Sequence, residues 1–307
     1  MRIGFVLPTM GPVSGPDAIA RVAQRVEERG LDSVWTSERS LWPVAPRTPY
    51  PFGALPEGYK RAFDPLDALT FAAATTSRIG LGTSVLNLPW YAPLLLARRL
   101  ASIDVLSGGR LTAGLGTGWS DDEHLAAGSD LRTRGARNDE AIALLRAVWG
   151  PDPVAFQGAH FEVPLSHIGL KPVREAGVPL VWGGWGAAAK RRAALLCDGW
   201  HPAGLPVAEL APQFGEVRAL AAAAGREPDA LLLVARNGFA VHDAPLGPDR
   251  PSCCGSPEQI AADLAVAEAA GTHELLLDCV LDPEIGTVDD LLARVDALAR
   301  IAGRTAS

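Results

Sequence analysis

Lysine is nearly missing from this chain. Lys60, Lys171 and Lys190 are the only three among 28 basic residues, which face 35 acidic ones in 307 and leave a net charge of −7. With no basic run to neutralise a phosphate backbone, nucleic acid is excluded as a partner. Cysteine is scarce as well. Cys197, Cys253, Cys254 and Cys279 form no CxxC, and the adjacent pair is poorly placed for a disulfide, so reduced thiols in a cytoplasmic setting are expected. The six histidines contain no HxxxH or HxH, which leaves a metal centre without ligands. No apolar run approaches the roughly 18 residues that cross a bilayer, and the N-terminal apolar stretch stops at Pro8, too soon for a signal-peptide core. Membrane partners and export are therefore not expected.

What is present is alternation. Short β-branched runs at 2–7, 33–36, 79–85, 110–115, 179–182, near Trp200, 231–241 and 274–278 are separated by helical stretches at 17–29, 64–77, 93–106, 136–149, 187–196, 207–224, 258–270 and after 287. Asp64-Pro65 supplies an N-cap with proline at the first helical position, and Ser256-Pro-Glu-Gln259 and Thr287-Val-Asp-Asp290 read as capping boxes. Eight strand–helix units in strict order close naturally into a (β/α)8 TIM barrel, here a single domain over 1–307. The rival is a doubly wound sheet, but Pro8-Thr-Met-Gly-Pro-Val-Ser-Gly15 lacks the glycine spacing of a dinucleotide turn. Insertions follow strand two (40–63) and precede strand five (150–178), the second with a hairpin around Phe156–Phe161.

A barrel carries its chemistry at the C-terminal ends of its strands, so those segments are read first. Strand three ends in Gly80-Leu-Gly-Thr-Ser-Val-Leu-Asn-Leu-Pro-Trp-Tyr-Ala-Pro93. Strand four ends in Gly-Leu-Gly116-Thr-Gly-Trp119-Ser-Asp-Asp-Glu123, and strand five in Val-Trp-Gly183-Gly184-Trp185-Gly186-Ala187. Gly183, Gly184 and Gly186 leave amides uncovered just before a helix, which makes an anion site aided by the helix dipole; a purely structural turn is the alternative. Gly116-Thr117-Gly118 could act similarly and is not a P-loop, because no Lys-Ser/Thr follows. Trp42, Trp90, Trp119, Trp182, Trp185 and Trp200 lie near strand ends and suggest an aromatic pocket for a flat ring.

These segments, with Asp198-Gly-Trp200 after strand six and Arg134-Gly-x-Arg137-x-x-Glu140, resemble the luciferase-like monooxygenase superfamily. The closer likeness is to its branch that uses the deazaflavin coenzyme F420. It runs from residue 1 to about 225 and fades beyond. The resemblance implies an oxidoreductase that moves hydride between a deazaflavin and a small organic substrate, usually as a homodimer. It also implies a cis peptide between Ser84 and Val85 supporting the ring, a polar contact from Asn87, and a cofactor phosphate on the strand-five loop. Glu38 matches an acid that touches the ring after strand two. Arg39 stands where relatives carry an acid–base histidine, and arginine does not exchange protons near neutral pH. Trp119 stands where sugar-phosphate-oxidising relatives place a carboxylate. Both departures argue against sugar phosphate as substrate.

Glu38, Arg39 and His201 are the candidate catalytic residues. Arg39 either clamps an anionic group or is a solvated loop residue, and His201 and His124 read more readily as structural. An FMN-dependent monooxygenase on the same scaffold is the alternative activity, and a non-catalytic flavin-binding barrel is the alternative class. The Pro-rich loop 40–63, with Tyr50, Phe52 and Tyr59 to cover a ring and Arg47, Lys60 and Arg61 to meet an acid, is expected to be a lid. Packing against a neighbouring subunit is the other reading.

Overall fold

The computed structural model describes residues 1–304. Eight strands form the barrel: β1 (Arg2–Val6), β2 (Ser33–Thr36), β3 (Gly80–Thr83), β4 (Leu111–Gly116), β5 (Leu180–Gly183), β6 (Gly199–His201), β7 (Leu232–Gly238) and β8 (Glu274–Asp278). All neighbours pair in parallel, β8 closes on β1 and β3 pairs with β4, so the sheet has no free edge. The helices α1 (Pro16–Glu28), α2 (Pro65–Thr75), α3 (Pro93–Leu106), α4 (Asp121–Ala126), α5 (Arg134–Trp149), α6 (Ala187–Leu196), α7 (Val207–Ala223), α8 (Pro257–Ala269) and α9 (Val288–Ile301) surround it. Asp64 caps α2 by accepting from the amides of Leu66 and Asp67, and both expected capping boxes form.

Four details depart from the sequence expectation. The run 231–241 is divided: the barrel strand ends at Gly238, and Ala240–Val241 pairs instead with Cys254–Gly255. The run 79–85 is not one strand: the ladder stops at Thr83, and Leu86–Asn87 pairs again with β4 beyond an intervening Ser84–Val85. The short helix α4 is additional, capped by the Ser120 side chain accepting from the Glu123 amide. The loop 40–63 carries a 3₁₀ turn at Glu57–Lys60, although no periodic pattern marks it. The hairpin in the second insertion forms from Val154–Gln157 and Glu162–Ser166.

The lumen is filled from below by large groups set against glycines. Trp35, Val181, Val234 and Leu276 form a cluster separate from the shell between strands and helices. The Trp35 indole donates to Ser33 Oγ and Glu274 Oε1, at 2.8 and 3.0 Å. A Cβ at Gly82 would lie 2.3 Å from that indole, so β3 has no side chain there. His201 stacks on Trp35 with centroids 5.7 Å apart and carries the column upward to Ser84. Gly114 takes the Thr83 carbonyl where β3 ends: its Cβ would sit 1.9 Å from that oxygen. Overpacking against fixed backbone is expensive. Gly114→Ala is therefore expected to lower stability by about 3 kcal/mol, the upper part of the overpacking range. Urea unfolding would read it, and a loss below about 1 kcal/mol would show that β3 and β4 can separate freely.

Candidate active site

At the C-terminal end of the barrel a cleft of about 400 Å³ opens. Its lower wall is the Ser84–Val85 step, whose peptide is cis, as the resemblance implied. Val85 lies against β4 and β5: a Cβ at Gly116 would come 2.6 Å from one of its methyls, and a Cβ at Gly183 3.0 Å from the other. These two glycines therefore seat Val85, a role that spacing alone did not show.

Glu38 follows β2 and is buried beside Val85's neighbours. Its Oε2 accepts from the Asn87 amide at 2.6 Å and from Asn87 Nδ2 at 3.0 Å, while the Tyr91 hydroxyl donates to Oε1. Burial, acting against these donors, pushes the Glu38 pKa up to about 7. Arg39 is not a solvated loop residue. It is nearly buried, pairs with buried Glu123 at 2.7 Å, and lies 4.8 Å over the Trp119 ring and 5.3 Å over Tyr59. Glu123 also accepts from the Ser40 amide and hydroxyl. The arginine is thus spent on holding the loop after β2 to α4.

His201 lies below the cleft. Its Nδ1 is 2.5 Å from the Val234 carbonyl, which can only accept, so Nδ1 carries the proton and Nε2 accepts from Ser84 Oγ at 2.7 Å. Complete burial lowers its pKa to about 4, and the ring is neutral. It positions Ser84 from beneath. His124 is buried under Trp90, 6.0 Å between rings, with Nδ1 3.1 Å from Ser129 Oγ.

The opposite wall comes from β7 and β8. Arg236 donates to the Ser84 carbonyl at 2.7 Å, to Ser37 Oγ at 2.8 Å and to Ser84 Oγ at 3.2 Å, and pairs with Asp278. Asn237 lines the same wall, and its Nδ2 is buried with no partner among the described residues. Loop 40–63 lies across the mouth. Tyr50 packs 5.4 Å from Trp119, its hydroxyl is 3.1 Å from that of Tyr59, and Phe52 packs 5.7 Å from Trp185.

The cleft therefore gathers Glu38, Arg39, Ser84, Val85, Asn87 and Trp119. Thr117 stays outside it, 3.4 Å from Asn138 Nδ2. Gly184, Trp185, Gly186 and Ala187 stand exposed beside the mouth, linked to it through the Trp185–Phe52 contact, where the N-terminus of α6 meets solvent. Arg236, Asn237 and Asp278 escaped the sequence reading. They end Leu-Leu-Val-Ala-Arg236-Asn-Gly and Glu-Leu-Leu-Leu-Asp278, polar groups at the C-terminal ends of apolar strands, a signal read at strands two to five and not carried to seven and eight.

A strand-end cleft with aromatic walls, a buried acid and an exposed helix N-terminus can hold a flat ring that carries an anionic group. The luciferase-like monooxygenase family model matches residues 1–246, and the chain belongs to that family. An F420-dependent glucose-6-phosphate dehydrogenase from Amycolatopsis mediterranei is 32% identical over 176 residues, 55% of this chain and 49% of that one. The crystal structure of monooxygenase RslO1 from Streptomyces bottropensis superposes with a TM-score of 0.77 at 20% identity, covering 98% of each chain. An F420-dependent secondary alcohol dehydrogenase, solved with an F420–acetone adduct, superposes with a TM-score of 0.76 at 17% identity, covering 98% of this chain and 97% of its own. The family supports an oxidoreductase with a deazaflavin or flavin cofactor.

The two buried titrating groups act on stability with opposite signs. Glu38 binds its proton more tightly folded (about 7) than unfolded (4.5), so stability falls as pH rises from about 4.5 to about 7. His201 binds its proton less tightly folded, so its contribution is present above 6.5 and is lost as pH falls toward 4. Glu38→Gln should remove only the first slope. Its stability relative to wild type is expected to rise by about 3 kcal/mol between pH 4.5 and 8 in urea titrations. A difference that does not change with pH would show that Glu38 titrates as an ordinary carboxylate.

Proposed function

We propose that this chain is an F420-dependent oxidoreductase that transfers hydride between the deazaflavin and a small organic substrate. The observation that carries the reading is the seat of Val85, held at the cleft wall by Gly116 and Gly183 behind it and by the grip of Arg236 on Ser84. Val85 offers a flat ring an apolar support, and Asn87 and Glu38 offer polar contacts around it. These residues fit a ring of the flavin type. The exposed N-terminus of α6 at Gly186–Ala187 would hold its phosphate, where free amides and the helix dipole favour an anion.

When bound, the deazaflavin supplies the hydride chemistry. The chain supplies the surroundings. Val85 would support the ring, and the aromatic side chains of loop 40–63 would exclude water from the mouth. Glu38 holds or releases a proton near neutral pH, a role Arg39 cannot take. With Trp119 where a carboxylate would meet a sugar phosphate, an apolar substrate is the better fit. Sequence likeness to an F420-dependent relative supports the cofactor choice.

Titration of the protein with F420 and with FMN, each followed by its own absorbance and fluorescence, should show tight binding of F420 alone. Tight binding of FMN alone would make the chain a flavin enzyme, and binding of neither would remove the catalytic reading. Gly183 is a poor probe of the phosphate position because it also seats Val85. Gly186 has nothing within 4 Å of its Cβ position and an ordinary φ of −65°. Gly186→Asp should leave the fold intact and weaken cofactor binding by roughly tenfold or more, the effect of opposing one charge at a helix N-terminus. Unchanged affinity would place the phosphate elsewhere.

A further inference from the structure

Glu38 and Arg39 line two clefts. One is the barrel mouth, and the other, about 450 Å³, lies behind it among Ser40, Asp64, Trp90, Tyr91, Ala126 and Ala127. Ser40, Asp64, Ala126 and Ala127 are exposed, so the rear cleft communicates with solvent. The two consecutive residues form the partition. Arg39 is fixed in it by Glu123, which leaves Glu38 as the titrating group that faces both sides.

The hydrogen bonds decide which oxygen of Glu38 can carry a proton. Oε2 already accepts two N–H groups of Asn87, and neither can turn round to accept. Oε1 faces a hydroxyl, which can donate to the carboxylate or, rotated, accept from the carboxylic acid. The protonated form therefore has its O–H on Oε1, directed at Tyr91 and the rear cleft.

From this geometry we propose that Glu38 exchanges its proton with solvent through the Tyr91 hydroxyl and the rear cleft, and not through the barrel mouth. In the outward direction Oε1–H passes its proton to Tyr91 Oη as the Tyr91 proton passes to water in the cleft. The carboxylic acid and one water become a carboxylate and one hydronium ion, and the tyrosine ends neutral. Inward transfer reverses each step. Tyr91 acts as carrier and does not ionise, since burial and the Glu38 charge both raise its pKa. Asp64 at the rear rim raises the proton affinity of Glu38, while Arg39 faces it as a cation already neutralised by Glu123, and Arg99 sits near Tyr91 on the outer side. The consequence for the proposed function is that the mouth can stay closed by loop 40–63 during hydride transfer while the accompanying proton enters or leaves behind it. The purpose rests on the proposed function; the route does not.

The route can be tested on the full chain without cofactor. Glu38→Gln identifies the carboxyl infrared band of Glu38, whose midpoint is expected near 7. A laser-induced pH jump then gives its rate of protonation. Tyr91→Phe should slow that rate roughly tenfold or more, as loss of a positioned proton carrier does. Ala127→Trp, which fills the rear cleft without touching the hydrogen bonds of Glu38, should also slow it while leaving the midpoint in place. Phe52→Ala, which opens the mouth, should leave it unchanged. Should Tyr91→Phe fail to fold, Ala127→Trp and Phe52→Ala still decide the question. A rate unaffected by Ala127→Trp, or one accelerated by Phe52→Ala, would overturn the rear route whichever cofactor the protein binds.

Discussion

Arg236 is the contact on which the candidate site depends. One half-buried guanidinium holds the Ser84 carbonyl, the Ser37 hydroxyl and the Asp278 carboxylate, and so ties the ends of β2, β3, β7 and β8 across the lumen. Its donors are fixed in a fork, which is why arginine and not lysine suits a position with three separate acceptors. Because Ser84 is held from above by Arg236 and from below by His201, the Val85 side chain next to it has one place to go: against the glycines of β4 and β5. The apolar support that Val85 gives the cleft is positioned from that point.

The same constraint explains the glycine content of the strands. A barrel lumen is filled by side chains in layers. Here one layer holds an indole and the next an imidazole, with the Ser84–Val85 step above them, and the facing positions at Gly82, Gly114 and Gly116 have no room for a Cβ. Two charge pairs flank this column: Arg39 with Glu123 and Arg236 with Asp278. Glu38 has no cation bonded to it, and burial therefore leaves it the one carboxylate described here whose pKa rises into the neutral range. An uncompensated acid in a cleft is the usual mark of a group kept for proton transfer.

The barrel was legible because alternation, caps and strand-end glycines all pointed the same way. The Asp64 cap and the Ser256 and Thr287 boxes form as their spacing implies. The Ser84–Val85 break was readable only by resemblance, since a run such as Ile79–Val85 has nothing in its periodicity to mark where pairing stops. Half of the cleft was legible too. Glu38, Asn87 and Trp119 lie at strand ends that the resemblance marks, whereas Arg236 and Asp278 end strands seven and eight, where no motif was read, although Arg236 lies within the residues the family model matches and only Asp278 lies beyond them. The role of Arg39 could not be read from its neighbours, because Glu123, its partner, is 84 residues away. Glycine is ambiguous in the same manner: Gly183 suggested an uncovered amide and proved also to be the seat of a valine 98 positions earlier.

We propose that the Arg236 grip on Ser84 makes the mouth a ring-binding site. Arg236→Lys keeps the charge beside Asp278 but cannot hold all three acceptors, so it tests the grip with little change in local electrostatics. F420 binding should be measured by fluorescence titration on variant and wild type, with circular dichroism to confirm that both are folded. The account predicts a folded variant whose affinity drops by roughly a hundredfold, about 2.7 kcal/mol. A folded Arg236→Lys protein that binds F420 as tightly as the wild type would contradict it.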